Sequence, residues 1–183
     1  SSSRCSQKSW SKNINMNQPP KNNNRNQGRY QQDKEFDEKV IQVSRVSKKT
    51  KGGNQIGFSV LMVVGDKKGR VGVGLGKAPD VLSSIKKGIR KAKKNLITVP
   101  MKKDTIPYDV LVKFGAAKVM LKPAPKGSGI IAGGAVRSVM EAAGVKNISS
   151  KVLGTRNKAS NVYCTIKALK QLQNYTKLQK ETK

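Results

Sequence analysis

Arg45-Val-Ser-Lys-Lys-Thr-Lys-Gly-Gly-Asn-Gln55 is followed by the apolar run Ile56–Gly65, the glycine ladder Arg70-Val-Gly-Val-Gly-Leu-Gly76 and the lysine-rich segment Asp80–Lys94. The order reads as strand, basic loop, strand, hairpin, strand, helix. Lys39–Ser47 alternates apolar and polar residues and reads as a first strand. Gly52-Gly53 frees the backbone for a bend that lysines crowd. Ile56–Gly65, rich in Val, reads as a well-buried strand. Asp66-Lys67-Lys68-Gly69 reads as a hairpin connection in which Lys67 and Lys68 are simply solvated. In Arg70–Gly76 the valines and Leu75 share one face, and Gly72, Gly74 and Gly76 share the other. A bare glycine face lets a helix or an RNA backbone come close.

Asp80 is placed to cap the next helix, with Leu82, Ile85, Ile89, Ala92 and Leu96 as its apolar stripe. Its other positions hold Lys86, Lys87, Arg90, Lys91, Lys93 and Lys94, with no acid among them. A helix built for solubility mixes signs to gain pairs one turn apart. This one repels itself, which points to an external anion. Gly88 inside the helix has no explanation at the level of sequence.

Charge supports the same reading. The 183 residues carry 38 Lys+Arg against 10 Asp+Glu, a net charge of +28. The excess runs through both halves, so a single basic tail does not explain it. Such a balance implies a polyanionic partner, nucleic acid before an anionic membrane. Aromatic residues are only 4%, which argues against a membrane-surface helix and against a base-stacking single-strand reader. No apolar run is long enough to span a membrane. Lys outnumbers Arg, which suits recognition of RNA backbone and shape more than base sequence.

Catalytic chemistry finds few candidates. There is no His, the commonest general base and metal ligand at neutral pH. The acids are scattered. Gly72-Val-Gly-Leu-Gly76-Lys77 lacks both the spacing of a P-loop, where Val71 and Ala78 stand at the needed positions, and the third glycine of a dinucleotide fingerprint. Cys5 and Cys164 suggest neither a disulfide nor a zinc site. No enzyme activity, cofactor or metal is expected.

The rest of the chain reads as a second unit from near Met101. Strands are expected at Tyr108–Phe114, Lys118–Leu121 and Ile148–Leu153. Helices are expected at Ala135–Ala143, ended by Gly144, and at Lys158–Leu172. The glycine-rich connection Lys126–Gly134 lies before the first of these helices, and Gly154–Asn157 is a turn before the second. Gly133-Gly134 reads either as a tight turn or as an approach to RNA phosphates at a helix N-terminus. The fold class is thus α+β: a β-β-β-α unit at 39–101 and a second small α+β unit at 102–174. A disordered Asn- and Ser-rich basic leader (1–38) precedes them, and a frayed basic tail (175–183) follows. The acid-poor leader is compatible with a transit-peptide remnant or a bacterial low-complexity tail.

The motifs Lys51-Gly52-Gly53, Val64-Gly65-Asp66, Gly69-Arg70-Val71-Gly72, Gly74-Leu-Gly76-Lys77-Ala78, Gly127-Ser-Gly129-Ile-Ile-Ala-Gly133-Gly134-Ala135-Val-Arg137 and Glu141-Ala-Ala-Gly144-Val occur in this order. Together they resemble the ribosomal protein S-five family of the small ribosomal subunit, over about Lys39 to Leu172. The resemblance implies a double-stranded-RNA-binding-like first domain and a left-handed βαβ-type second one. It also implies small-subunit rRNA, ribosomal proteins S-four and S-eight, and mRNA where it enters the subunit, as partners, with roles in assembly and decoding accuracy. By similarity, the loop Val46–Gln55 would reach toward rRNA near the spectinomycin site. Ala116–Ala124, with Lys118, Met120 and Lys122, would lie toward S-four, and Gly127–Arg137 would meet rRNA. The family's longer C-terminal tail is short here, which puts part of the S-eight contact in question.

The residues expected at rRNA are Arg45, Lys48, Lys49, Lys51, Gly52, Gly53, Arg70, Lys77, Lys86, Lys87, Arg90, Lys93, Lys94, Lys126, Gly133, Gly134, Arg137 and Arg156. The expected setting is a bacterial, cytoplasmic ribosome, with a plastid or mitochondrial ribosome as the alternative. The rival function is a free-standing double-stranded-RNA-binding regulator that uses the first unit alone.

Overall fold

The Gly52-Gly53 stretch closes a hairpin instead of forming a loop. In the computed structural model, which describes residues 36–181, β1 (Asp37–Thr50) runs antiparallel to β2 (Gly53–Gly65), and pairing continues out to Thr50 opposite Gly53. Lys51 and Gly52 alone make the turn, and Gly53 follows at φ 135°, which glycine adopts without strain. The expected loop Val46–Gln55 is therefore the outer half of a two-stranded arm. Its β-favouring residues stay in register, Ser47 opposite Ile56 and Arg45 opposite Phe58. The arm stands clear of the core, with Val43 47%, Val46 41% and Ile56 42% exposed, so the burial expected for Ile56–Gly65 begins only at Val60. β1 also starts earlier than expected, inside the stretch read as leader. It carries a bulge at Ile41, where the register shifts between Val40 and Gln42. The remainder of the leader lies outside the described residues.

β3 (Arg70–Ala78) and the short β4 (Leu96–Thr98) complete a sheet of order β1-β2-β3-β4. Helix α1 (Val81–Lys94) lies on its glycine face. A Cβ built at Gly72, Gly74 or Gly76 would stand 2.3, 2.1 or 2.0 Å from the carbonyl oxygen of Ala92, Gly88 or Ser84. A helix, then, is what makes the close approach. Gly88 now has its reason: its own Cβ would meet Met62 Cγ at 3.3 Å while its carbonyl sits over Gly74. The same proximity corrects the apolar stripe. The residues buried beneath α1 are the small ones, Ser84, Gly88 and Ala92. Ile85 and Ile89 are half-buried to the sides, and Leu82 is 67% exposed. Asp80 caps α1 as expected, its Oδ2 accepting from the Ser83 N–H at 3.4 Å. The buried Ser84 hydroxyl donates to the carbonyls of Asp80 (2.9 Å) and Phe58 (3.0 Å) and so ties helix to strand.

The second sheet has order β5-β6-β8-β7, formed by β5 (Val110–Phe114), β6 (Ala117–Pro123), β7 (Ile130–Ile131) and β8 (Ile148–Leu153). β7 and β8 are parallel and are joined through α2 (Gly134–Ala143). Gly144 ends α2 at φ +86°. α3 (Lys158–Glu181) runs on past Asn174, where fraying was expected. β4 and β7, two or three residues each, were too short to read in sequence.

All described residues fall in one compact unit, Asp33–Lys183. The valine face of the first sheet explains this: Leu61, Val63, Val71 and Val73 share one apolar cluster with Val112, Leu121, Val139, Met140, Leu169 and Leu172. The β2–β3 turn is bonded to the end of α2. The Lys67 N–H donates to Ala142 O at 3.1 Å and the Gly69 N–H to Ala143 O at 2.9 Å. Lys67 is also ion-paired with Asp37 at 2.6 Å, which corrects its reading as merely solvated.

Candidate nucleic-acid interface

The arm presents Arg45, Lys48, Lys49 and Lys51, all exposed. Strand alternation sends Arg45 and Lys49 to one face and Lys48 to the other, so the tip is basic on both sides. Nothing lies within 4 Å of a Cβ built at Gly52 or Gly53, so another surface can reach the turn's backbone.

α1 supplies a second basic surface. Its small residues face the sheet, which leaves Lys86, Lys87, Arg90, Lys91 and Lys94 exposed on the outer side, with no acid in the helix. Lys91, Lys93 and Lys94 also stand in the last turn, where they suit the negative end of the helix dipole. Lys93 is half-buried, 5.4 Å from the centroid of the Phe36 ring, and Arg70 lies 5.8 Å from the same ring. Lys77 is exposed near the end of β3, opposite Ser59.

Two expected RNA contacts are occupied within the protein. Arg70 Nε donates to Asp66 Oδ2 at 2.7 Å, and Asp66 Oδ1 accepts from the N–H groups of Lys68 and Arg70. Burial pushes the Asp66 carboxyl up. The bonds from Arg70 and Lys68 and the guanidinium charge outweigh it and hold the group below its usual value. Arg137 Nε donates to Glu141 Oε1 at 2.8 Å, and Lys39 pairs with Glu141 Oε2. The bond from Lys39, then that from Arg137, lowers the Glu141 carboxyl. Arg70 and Arg137 thus hold the turn and the junction in place, with their side chains still more than half exposed.

The second sheet places the expected protein contacts together. Lys118, Met120 and Lys122 alternate with buried Ala117, Val119 and Leu121, so they share the open face of β6. Lys113 stands directly opposite Lys118, and Lys151 opposite Met120. Like charges facing across strands are unfavourable without a counterion or partner. Lys126 is exposed in a loop whose Gly127 and Gly129 N–H groups both donate to Asn147 Oδ1 at 3.2 Å. Gly133, Gly134 and Arg156 line one cavity at the start of α2.

Two family models match the chain: Ribosomal protein S5, N-terminal domain, over residues 36–100, and Ribosomal protein S5, C-terminal domain, over residues 112–182. A small ribosomal subunit protein uS5 of Chloroflexus aurantiacus is 51% identical over 138 residues, 75% of this chain and 78% of that protein. One of Syntrophobacter fumaroxidans is 51% identical over 137 residues, 75% and 82%. One of Mycoplasmopsis agalactiae is 54% identical over 139 residues, 75% and 60%. The chain belongs to the ribosomal protein S5 family. Its members are structural, non-enzymatic components of the ribosome.

For a member of the S5 family, the residues that sequence reading passed over are those that organise the cations. Phe36 lay in the stretch assigned to the leader. Asn147, 7% exposed, pins the Lys126 loop from a position with no motif around it. Lys158 and Asn161 join Arg156 at the α2 cavity only through the fold. Among the described residues no group of three or more His, Cys, Asp or Glu could hold a metal, and no helix is long and apolar enough to cross a membrane.

Proposed function

We propose that this chain is a structural constituent of the small ribosomal subunit that grips its rRNA with the basic arm and the outer face of α1. One observation carries the reading: the glycine face draws α1 so close that only small residues lie beneath it, and Lys86, Lys87, Lys91 and Lys94 are left outward with no acid in the helix. Each such cation can neutralise one phosphate and release counterions. Arm and helix together supply Arg45, Lys48, Lys49, Lys51, Lys86, Lys87, Arg90 and Lys94. Lys126 and the α2 start extend the contact.

The reading continues to subunit assembly, decoding accuracy and the path by which mRNA enters. Here the open face of β6 is turned toward S-four, and S-eight is a further neighbour. It places the chain on a cytoplasmic bacterial ribosome, with an organellar ribosome as the alternative. A free-standing duplex-RNA regulator is disfavoured because it needs the first sheet to fold alone, whereas Leu61, Val63, Val71 and Val73 share their core with the second half.

Sedimentation of cell extract through sucrose gradients at low and high salt, with the chain followed by antibody, tests this. Comigration with small subunits that survives high salt is the expected result. Release at high salt, or a free species at low salt, overturns it.

A further inference from the structure

We propose that the apolar side of α1 is a docking surface for an acidic amphipathic helix of another protein, a partner for the chain before it reaches RNA. Leu82, Ile85 and Ile89 recur at helical spacing, the pattern of a face that packs on something. The glycine ladder leaves that face outside the core. Ser84, Gly88 and Ala92 lie against the sheet. Ile85 and Ile89, each one residue further on, stand about 100° round the helix from Ser84 and Gly88. Both are half-buried, and Leu82 is the most exposed of the large apolar residues described.

Two contacts show which way the stripe looks. The bond from the Ser84 hydroxyl to Phe58 O sets the first turn of α1 over β2. Lys93, one turn beyond Ile89 and so on its side of the helix, lies 5.4 Å from the ring centroid of Phe36, just before β1. The stripe therefore looks toward β1, while α1 itself packs on β3 and β2. Strand register supplies a floor. Val43 stands opposite Val60, and Val60 opposite Gly76, so Val43 is on the glycine side of the sheet. Phe58 and Ile56, two and four residues from Val60 along β2, share that side. Val43 and Ile56 are exposed. From Leu82 to Lys93 the wall runs about 16 Å at about 1.5 Å per residue, room for about three turns of a second helix.

The rim is cationic. Arg45 and Lys49 lie on the same side of β1, opposite Phe58 and Asn54, and Arg90 and Lys93 border the stripe on α1. Glu38, opposite Val64, is the acid on this side of β1 and stands at its inner end. An apolar seam between two rows of cations complements a helix with apolar residues three and four apart and acids on both flanks. RNA complements it less well. Phosphates would meet the rim, but wall and floor are mostly aliphatic, whereas unpaired bases stack on rings, and Phe58 is half-buried. Arg45, Lys49 and Arg90 are also offered to rRNA, so helix and RNA compete for them. That competition, and not the docking, rests on the RNA-binding reading above.

The test is fluorescence anisotropy of a labelled synthetic peptide titrated with the full chain. The peptide has about 18 residues, with Leu at the a and d positions and Glu and Ala elsewhere. A scrambled peptide of the same composition, whose Leu residues share no face, is the control. The patterned peptide is expected to bind about tenfold more tightly than the scrambled one. Leu82→Ser, at an exposed position, should weaken it about tenfold and leave affinity for a small-subunit rRNA fragment unchanged. Val43→Thr, on the floor, should weaken the peptide several-fold and covers the case in which Leu82→Ser disturbs the start of α1. Arg45→Glu with Lys49→Glu should weaken peptide and rRNA fragment alike, and the rRNA fragment should displace the peptide. Equal binding of the two peptides would mean attraction of charge alone and overturns the proposal, as does an unchanged peptide affinity in Leu82→Ser and Val43→Thr. Loss of rRNA affinity in Leu82→Ser would make the stripe an RNA surface and also overturns it. A complex that holds peptide and rRNA together overturns the partner's place before RNA. An rRNA fragment that does not bind the chain at all counts against the RNA-binding reading and leaves the peptide result standing.

Discussion

Gly65 packs against the backbone of Ala142: a Cβ added to Gly65 would lie 2.0 Å from the Ala142 carbonyl oxygen. The complementary contact lies close by, where a Cβ on Gly144 would lie 2.1 Å from the Lys67 carbonyl oxygen. Both obstacles are backbone, which cannot rotate away. Gly65→Ala and Gly144→Ala should each destabilise the chain by about 1–3 kcal/mol or more, and Gly144→Ala adds strain at φ +86°. Urea unfolding of the purified chain checks this. The expected result is a lower midpoint in a single transition, and an unchanged midpoint for Gly65→Ala would refute the contact.

The glycine face under α1 makes a sharper contrast. Gly74→Ala would drive a methyl group into the Gly88 carbonyl at 2.1 Å and should cost about 1–3 kcal/mol. Gly52→Ala meets nothing within 4 Å at a φ that is not positive, and should shift stability by less than about 0.5 kcal/mol. Thermal melts of both variants would read the difference. Similar losses at the two sites would mean that α1 does not rest on the ladder.

RNA affinity should depend on salt through named residues. Lys49→Glu with Lys51→Glu should weaken binding to a small-subunit rRNA fragment. It should also flatten the plot of log affinity against log salt by about 0.7–0.9 per lost phosphate contact. Lys87→Ala with Arg90→Ala should act the same way on α1. An unchanged slope in either double variant removes that surface from the interface.

Acid stability follows from Asp66 and Glu141, whose carboxyls are lowered in the folded chain. A lowered carboxylate contributes stability above its unfolded value, near pH 4, and that contribution is lost as pH falls through the folded value. Stability should therefore drop below about pH 4, and Asp66→Asn with Glu141→Gln should flatten that drop. Chemical denaturation from pH 6 to pH 3 is the measurement. An identical profile for the double variant would show that other groups govern it.

Cys164 is fully buried, with its pKa raised by burial, and its Sγ donates to Val112 O at 3.2 Å. Both features suppress the thiolate that reacts. Iodoacetamide should label Cys164 only as fast as the chain unfolds, read by mass spectrometry of its peptide. Rapid labelling in native buffer would contradict the packing.

Sequence made some of this visible and hid the rest for physical reasons. Asp80 as a cap, Gly144 as a helix end and the split of Gly72, Gly74 and Gly76 from the valines are local, and each held. What approached the glycines was not local, because helix and RNA backbone pose the same steric demand. The arm was missed because its outer strand residues are polar and exposed, so no burial pattern marks them as strand. Among the site residues, chemistry was legible and commitment was not. Arg70 and Arg137 looked like free cations, although Asp66 and Glu141 stand four residues away, a spacing that joins side chains on a helix and here also closes a turn. Asn161 left no trace in sequence at all, since its place at the α2 cavity exists only once the chain is folded.

The exposed arm makes the molecule a lever. From Gly65 to the turn at Gly53, β2 extends about 40 Å at about 3.3 Å per residue, and its fulcrum is the root where Gly65 meets Ala142. A tilt of about 5° at that fulcrum carries Lys51 sideways by about 3.5 Å over such a span, more than a hydrogen-bond length. Where the tip lysines are carried is therefore decided at the other end of β2, by two glycines pressed against carbonyl oxygens.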